Sequence, residues 1–561
     1  MADGNKKANK PLVAYFCMEY GLESDFKIYS GGLGILAGDL LKAAYDDRYP
    51  MVAIGILWRQ GYTMQTIGDN GLPVDSFPEY RYGHLKDTGV TVSVKIKESD
   101  VRCKVWLCDN YSNIPLYLLD AFLPDNPEQL ITGQLYGWFE EERLAQEIIL
   151  GVGGVRALEA LGIKPDLYHF NEGHAALAGL EMIRLEMGHG GDAAGVNLKT
   201  ARRASFDGAW AKVRKKIVFT THTPVLAGNE SHGYRAMIYT GADLGFTKGE
   251  LIRIGGDPFN MTVAGLRLSC KSNAVAELHS VTAKNMWSGV KGASDIIPIT
   301  NGVHNGTWQD AEISEAAAAC RSGGKKVREV AEKLLWSRHM VLKDKMLDGI
   351  YVRTGARLDR GLLTIGFARR ATAYKRSDLI FSDENIIGPL LSERKLQIVF
   401  SGKAHPNDQS GKQIVKNLTR LASEYPGVVF LENYDMDIGA LMTRGSDIWL
   451  NNPIRPQEAS GTSGMKAAMN GVLNFSILDG WWPECCAHGE NGWQIGDAYE
   501  GGDRDRVDAE SLYRVLTGEI IPAYYENRMK WIGMMVNSIA MSEYEFSAAR
   551  MLRDYIKRMY M

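Results

Sequence analysis

The chain has 561 residues, 45% of them hydrophobic and 23% charged, with a formal net charge of −3. That length calls for two or more domains. The near-balance of charge leaves no basic excess of the kind general nucleic-acid binding draws on. No apolar run is long enough to cross a bilayer, and the opening MADGNKKANK carries no signal-peptide stretch. The seven cysteines form no CxxC pair, so they read as free thiols suited to a reducing cytoplasm, with no metal site assigned.

In chain order, PLVAYF (11–16), YPMVAIGIL (49–57) and KIVFTTH (216–222) read as strands. So do LLTIGFA (362–368), LQIVFSG (396–402), VVFLENY (428–434) and DIWLNN (447–452). Several are apolar on both faces, as buried parallel strands are, and each is followed by a segment of helical period. The expected architecture is α/β, with active residues at the C-terminal ends of the strands. The strands fall into two sets, before about 300 and after about 360, separated by a helical stretch from Ala311 to Leu347. Two lobes with a central cleft follow: residues 1–300, then 301–535, with a C-terminal helix over 536–561 packing back on the first lobe. The one low-complexity candidate is GHGGDAAG (188–195).

Three segments carry chemistry. YSGGLGILAGDLLKAAYD (29–46) sets Gly31, Gly32 and Gly34 before a helix with apolar Leu36, Leu40 and Ala44. Such a loop either packs tightly or meets phosphate or sugar with bare backbone. GFARRATAYKRS (366–377) brings Arg369, Arg370, Lys375 and Arg376 to the end of a strand. They form either a solvated charge run or a phosphate clamp pointing into the cleft. EASGTSGMKAAMNG (458–471) places one lysine, Lys466, among small residues. Met465, Ala468, Met469 and Val472 predict a helix starting near Thr462–Gly464, with Lys466 in its first turn, where the helix dipole disfavours a cation. This stretch is either a glycine-rich turn with a solvated lysine or a site in which an aldehyde cofactor or a bound phosphate relieves that cost.

With these elements in order, the sequence resembles the α-glucan (glycogen, starch and maltodextrin) phosphorylases, nearest their short bacterial and archaeal branch. The matching segments are YFCMEYGLE, IYSGGLGILAGD, WRQGY, HFNEGHAAL, FTTHTPVLAG, TNGVHNGTW, GFARRATAYKR, FSGKAHP, VFLENYD and NNPIRPQEASGTSGMKAAMNGVLNFSILDGWW, in family order from about residue 11 to 495. The resemblance implies a two-Rossmann-lobe glycosyltransferase fold of the B type. It implies pyridoxal 5′-phosphate (PLP) held as a Schiff base on Lys466, and reversible, retaining phosphorolysis of terminal α-1,4-linked glucose to glucose 1-phosphate. In that family the cofactor's 5′-phosphate exchanges a proton with substrate phosphate, which protonates the glycosidic oxygen.

By the same resemblance, Arg370 and Lys375 hold substrate phosphate, and Arg369 stands where a cofactor-phosphate cation lies. Gly31, Gly32 and Thr462 contact cofactor or substrate phosphate, and Tyr434 and Trp308 line the cofactor pocket. Glu458 binds sugar hydroxyls, with backbone contacts from Ala459, Ser460 and Gly461. Asn301 and His222 complete the glucose side, His222 acting through its carbonyl; without the resemblance His222 reads as structural. His174 and Lys403 are expected near the cleft without an assigned role, and Tyr374 and Glu172 as packing or cap residues.

The expected partners are an α-glucan and orthophosphate or glucose 1-phosphate, with neither nucleic acid nor membrane. A homodimer is compatible with the resemblance. The strand PLVAYF begins almost at the N-terminus, so no extra N-terminal domain or regulatory extension is expected, nor allosteric control through one. The loop AGNESHGYRAM (227–237) differs from the family's acidic pattern and leaves glucan preference open. Two rival readings are a nucleotide-sugar glucosyltransferase of the glycogen synthase kind and a catalytically silent glucan-binding protein. The first often carries a second glutamate eight residues after the sugar-binding one, where this chain has Lys466. The second is opposed by Lys466, Arg370, Lys375 and Glu458 all being in place.

Overall fold

Strands that are apolar on both faces must be covered on both faces, and that requirement builds both sheets. Val13–Phe16, Met51–Ile56, Ile217–Thr220, Leu363–Ala368, Leu396–Ser401, Val428–Leu431 and Ile448–Asn451 are buried along their whole length. The computed structural model describes residues 10–136, 140–188, 201–498 and 501–561, with only the backbone at 140, 201–204 and 227. The glycine-rich stretch at 188–195 lies outside these residues beyond Gly188.

Among the described residues the first sheet has nine strands. From edge to edge they are Ile296–Pro298, Lys271–Ala274, Ile217–Thr220, Leu167–Asn171, Val13–Phe16, Met51–Ile56, Leu116–Asp120, Ser99–Cys108 and Lys86–Ile96. Pairing is parallel up to Leu116–Asp120, and the last two strands add as an antiparallel hairpin. The second sheet has six strands, all parallel: Val428–Leu431, Leu396–Ser401, Leu363–Ala368, Ile448–Asn451, Leu473–Ile477 and Gly492–Ile495. This is the expected two-lobed α/β fold. The helical stretch between lobes divides into Ala311–Ser322 and Lys325–Thr354.

Each sheet has its own apolar core. The C-terminal segment serves both. Helix Arg528–Glu545 packs Trp531, Met535 and Ile539 into the second core, and Met551, Leu552, Tyr555 and Tyr560 enter the first. The chain therefore rejoins the first lobe at Ala548, later than the boundary drawn at 536, because the apolar face of the preceding helix belongs to the second lobe. No helix among the described residues is long and apolar enough to cross a membrane.

The lobes meet around the cleft through two kinds of contact. A small apolar cluster joins Ile35 of the first lobe, Val303 and Trp308 of the connecting segment, and Met465, Met469 and Trp481 of the second. On another side, the hairpin Met64–Ile67/Pro73–Ser76 is tied to the second lobe by polar contacts. Ala404 N–H donates to Gln65 Oε1 (2.9 Å), Lys403 Nζ to the Thr63 carbonyl (2.9 Å), and Ile67 N–H to Glu432 Oε2 (3.0 Å), while Lys412 pairs with Asp75 (2.6 Å).

The glycine loop is aimed at this junction by helix Gly32–Asp46, which lies directly against the chain at Gly21. A Cβ at Gly38 would stand 2.0 Å from the Gly21 carbonyl oxygen, a main-chain atom that cannot swing away. Gly38→Ala is expected to cost roughly 1–3 kcal/mol and to lower the midpoint of thermal unfolding. A variant as stable as the parent would show that the helix can shift without penalty.

Candidate active site

Lys466 lies in helix Thr462–Met469, which starts where the apolar period places it. The helix has only eight residues, so the lysine falls in its last turn and not its first. At that end the helix dipole imposes no cost on a cation; burial does. Lys466 is 6% exposed, and burial pushes its amine down to about 8. Its Nζ stands 3.4 Å above the centre of the Trp308 indole. A buried amine near its neutral form is a nucleophile toward a carbonyl.

Glu458 organises the cations. Arg369 Nη2 donates to Glu458 Oε2 at 2.7 Å, and Lys375 Nζ donates to the same oxygen. Burial opposes the ionised carboxyl, but the charges of Arg369 and Lys375 outweigh it and hold Glu458 below the usual carboxylate range. One anion facing two cations leaves a surplus, and Lys375 bears it: burial, with the Arg369 charge beside it, brings its amine down to about 7. Arg370 stands beside this pair, exposed to cleft solvent and facing Tyr374, Tyr62, Tyr136 and Glu19. Arg376, expected in the same clamp, turns away to Asp508 (2.7 Å), Asp505 (2.8 Å) and the Asn452 and Pro453 carbonyls. The site therefore presents Arg369, Arg370 and Lys375, with Arg369 Nη1 buried and without a partner among the described residues.

The loop carrying Glu458 is shaped by two residues. Gly461 has φ +81°, and a Cβ there would stand 3.4 Å from Arg369 Nη2 and 3.3 Å from Glu458 Cγ. Asp479, buried, accepts from Glu458 N–H (2.9 Å) and Gly480 N–H (2.8 Å); burial, with the Glu458 charge adding, raises its carboxyl to about 7. Ser460 Oγ is buried without a partner among the described residues, and its carbonyl receives Trp481 N–H at 3.0 Å. Tyr434 lies by Arg369, its phenol pushed up to about 12 by burial. Tyr374 places its ring 4.6 Å from Lys375 Nζ.

From the first lobe comes the glycine loop. Glu19 Oε2 accepts from Ser30 N–H (2.6 Å) and Gly31 N–H (3.2 Å), while Oε1 accepts from Tyr136 Oη (2.5 Å). Space above the loop is open, since a Cβ at Gly31 or Gly32 would meet nothing within 4 Å. His222 closes this side. Its N–H donates to Glu172 Oε2 (2.8 Å) and its Nε2 bonds Asn171 Oδ1 (2.6 Å). Burial, with three histidines nearby, brings the imidazole down to about 3, so it stays neutral. Glu172 is both a cap, accepting from Gly173 N–H (3.0 Å), and a clamp on Thr223 Oγ1 (3.1 Å), and it holds a strained φ of +74°. Asn301 is buried, with Oδ1 unpartnered among the described residues and its carbonyl receiving Arg550 Nη2 (2.9 Å).

His174 lies behind this face, its ring 5.7 Å from that of Tyr136. There Glu147, Glu230 and His232 bring metal-ligand atoms within 4.8 Å of one another, with Arg143 already 2.6 Å from Glu230 as a counter-charge.

Four residues escaped sequence reasoning: Glu19, Asp39, Asp479 and the clamping role of Glu172. Asp39 had a readable signal, a carboxylate three residues after Leu36 on a helix face otherwise apolar. The other three follow strand ends without a pattern of their own. The surplus charge gives a direct test. Glu458→Gln leaves Arg369 and Lys375 buried without their counter-ion, with an expected loss of about 3 kcal/mol in anion-free buffer. Added sulfate should restore much of the lost melting temperature; if sulfate has no larger effect on the variant than on the parent, the cations do not form an anion site.

A sequence profile described as carbohydrate phosphorylase matches residues 382–487. Maltodextrin phosphorylase of Thermococcus litoralis is 38% identical across 99% of this chain and 71% of its own length. Glycogen phosphorylase of Aquifex aeolicus is 35% identical across 98% of this chain and 86% of its own. An uncharacterised protein of Methanocaldococcus jannaschii, 33% identical, aligns over 98% of this chain and 99% of itself. With near-complete alignments at this identity, and with two sheets flanking a cleft of the B-type glycosyltransferase kind, the chain belongs to the carbohydrate phosphorylase family.

Proposed function

We propose that this protein is an α-glucan phosphorylase that transfers the terminal α-1,4-linked glucose of glycogen, starch or maltodextrin to orthophosphate, reversibly and with retention, using PLP carried on Lys466. The observation that carries the reading is the Lys466 amine, buried against Trp308 beside a pocket with more cations than anions. The residues fit the cofactor: a low-pKa amine, an aromatic wall, an unmatched arginine nitrogen and open backbone at Gly31 and Gly32. When bound, PLP supplies a phosphate that exchanges a proton with the substrate phosphate.

The chain's own groups do the rest. Arg370 and Lys375 hold substrate phosphate next to the bond that breaks, and Arg369 with Thr462 and the Gly31–Gly32 backbone holds the cofactor's phosphate. Trp308 and Tyr434 line the cofactor ring. Cations arranged before substrate arrives stabilise charge as it develops, without reorganisation. Glu458 and the backbone of Ala459, Ser460 and Gly461 orient the glucose, with Asn301 beside it. The His222 imidazole, neutral and tied to Asn171, is not the acid; its carbonyl faces the positive charge that builds on the sugar. In this reading residues 1–300 present the glycine loop and the glucan side, residues 301–535 present the phosphate side, and the C-terminal helix locks the two. Free thiols and a cytoplasmic glucan store are consistent with one another.

Two experiments bear on the reading. Incubation with maltoheptaose and phosphate should release glucose 1-phosphate, and Lys466→Ala should abolish both release and cofactor retention. A fully active Lys466→Ala protein would contradict it, and turnover of a nucleotide-sugar in its place would favour the rival glucosyltransferase.

The second uses Lys375. Below about 7 it is charged in the free enzyme; above that, binding an anion must first restore its proton, since a bound anion favours the charged form. Affinity for sulfate, whose own charge is constant in this range, should weaken up to about tenfold per pH unit above that point. Lys375→Arg, charged throughout, should flatten the profile. A parent enzyme with pH-independent sulfate affinity would remove Lys375 from the anion site.

A further inference from the structure

One buried charge reaches Lys466 from the other side of the cleft. Asp39 lies in the middle of helix Gly32–Asp46, 1% exposed, on the opposite lobe from Lys466. Both of its carboxylate oxygens accept from the Trp308 indole Nε1–H, each at 2.9 Å. Lys466 Nζ stands over the face of the same indole. Edge and face of one ring are thus occupied by an anion from the first lobe and a cation from the second.

A carboxylate buried this deeply needs more than one shared N–H to stay ionised. Burial raises the Asp39 carboxyl above its ordinary range, and Lys466 foremost, then the Trp308 N–H, His304 and Lys42, oppose that rise. Lys42 is committed elsewhere, donating to the Leu22 carbonyl (2.7 Å) and Thr307 Oγ1 (3.0 Å). His304 bonds Asp46 at 2.8 Å and Thr307 at 2.8 Å. The Lys466 amine makes no hydrogen bond among the described residues, and Asp39 is the one charge that opposes the loss of its proton. The indole joins the two. Donation from its N–H to a carboxylate enriches the ring face in electron density, which strengthens its attraction for the cation above.

We propose that Asp39 is a positioning residue for the cofactor lysine: through Trp308 it fixes the aromatic wall over Nζ and keeps positive charge on the Lys466 nitrogen. The proposal rests on the reading of Lys466 as the PLP lysine. It adds that a residue of the first lobe sets the ionisation of a lysine in the second, so the cofactor's charge state depends on the lobes being docked.

The test is the absorption spectrum of bound PLP as a function of pH, in the parent and in Asp39→Asn. The amide keeps the size and can still accept from Trp308, but carries no charge. The titration of the Lys466 nitrogen is expected to move down by about one pH unit or more in the variant, with PLP still bound. Trp308→Phe keeps an aromatic wall and removes only the N–H, so it should shift the titration in the same direction, and it serves if Asp39→Asn does not fold. A variant that binds PLP with the parent's titration overturns the role of Asp39 and leaves the PLP reading standing. A parent that takes up no PLP overturns the reading itself, and the role of Asp39 with it.

Discussion

The site is built on an imbalance of buried charge. Arg369 and Lys375 share one carboxylate, Glu458, and Arg370 opens onto the same cleft with no ion pair among the described residues. Burying unmatched cations is costly, and the cost shows in the Lys375 amine, held near neutrality by burial. The fold tolerates the surplus because the cations come from the end of a central strand, Leu363–Ala368, whose position is fixed by neighbours on both sides. An arriving anion completes the set. In the proposed reaction, phosphate recognition and catalytic charge stabilisation are one arrangement, present before substrate binds.

The opposite wall solves a complementary problem. Glu19 ties the backbone N–H groups of Ser30 and Gly31 to a carboxylate and so shapes a loop with open space above it. Gly34 makes that approach feasible, since a Cβ there would meet Glu19 Oε2 at 2.6 Å. Across the cleft, Asp479 fixes the Glu458 loop through two backbone N–H groups. Buried carboxylates that grip main chain, Glu19 and Glu172 in the first lobe and Asp479 in the second, shape the two walls of the cleft. Trp308, between the lobes, is where the two walls touch.

Much of this was legible from residue pattern because its causes are local. Strands buried on both faces announce themselves as apolar runs, and a lysine among Ala, Ser, Thr and Gly marks a place where bulk is excluded. The hairpin Lys86–Cys108 was not read. It is an exposed edge with alternating polar residues, and its place beside Leu116–Asp120 is set by tertiary pairing. The first-turn placement of Lys466 failed because a short helix has no interior; two residues of offset moved it to the other end. Arg376 shows the limit of reading charge from spacing: its backbone turns to φ +48° and sends the guanidinium to Asp508, a partner far along the chain. Asp39 stands alone among apolar neighbours, and the partner that gives it meaning, Trp308, lies far along the chain.

The central claim is that the Lys466 amine is what the cleft is built to present. The most direct test is to load the purified protein with PLP, reduce it with borohydride, and identify the modified peptide by mass spectrometry. The account predicts one pyridoxyl group per chain, on the peptide containing Gly461–Asn470, at Lys466. Label spread over surface lysines, or concentrated on another lysine such as Lys375 or Lys403, would contradict it.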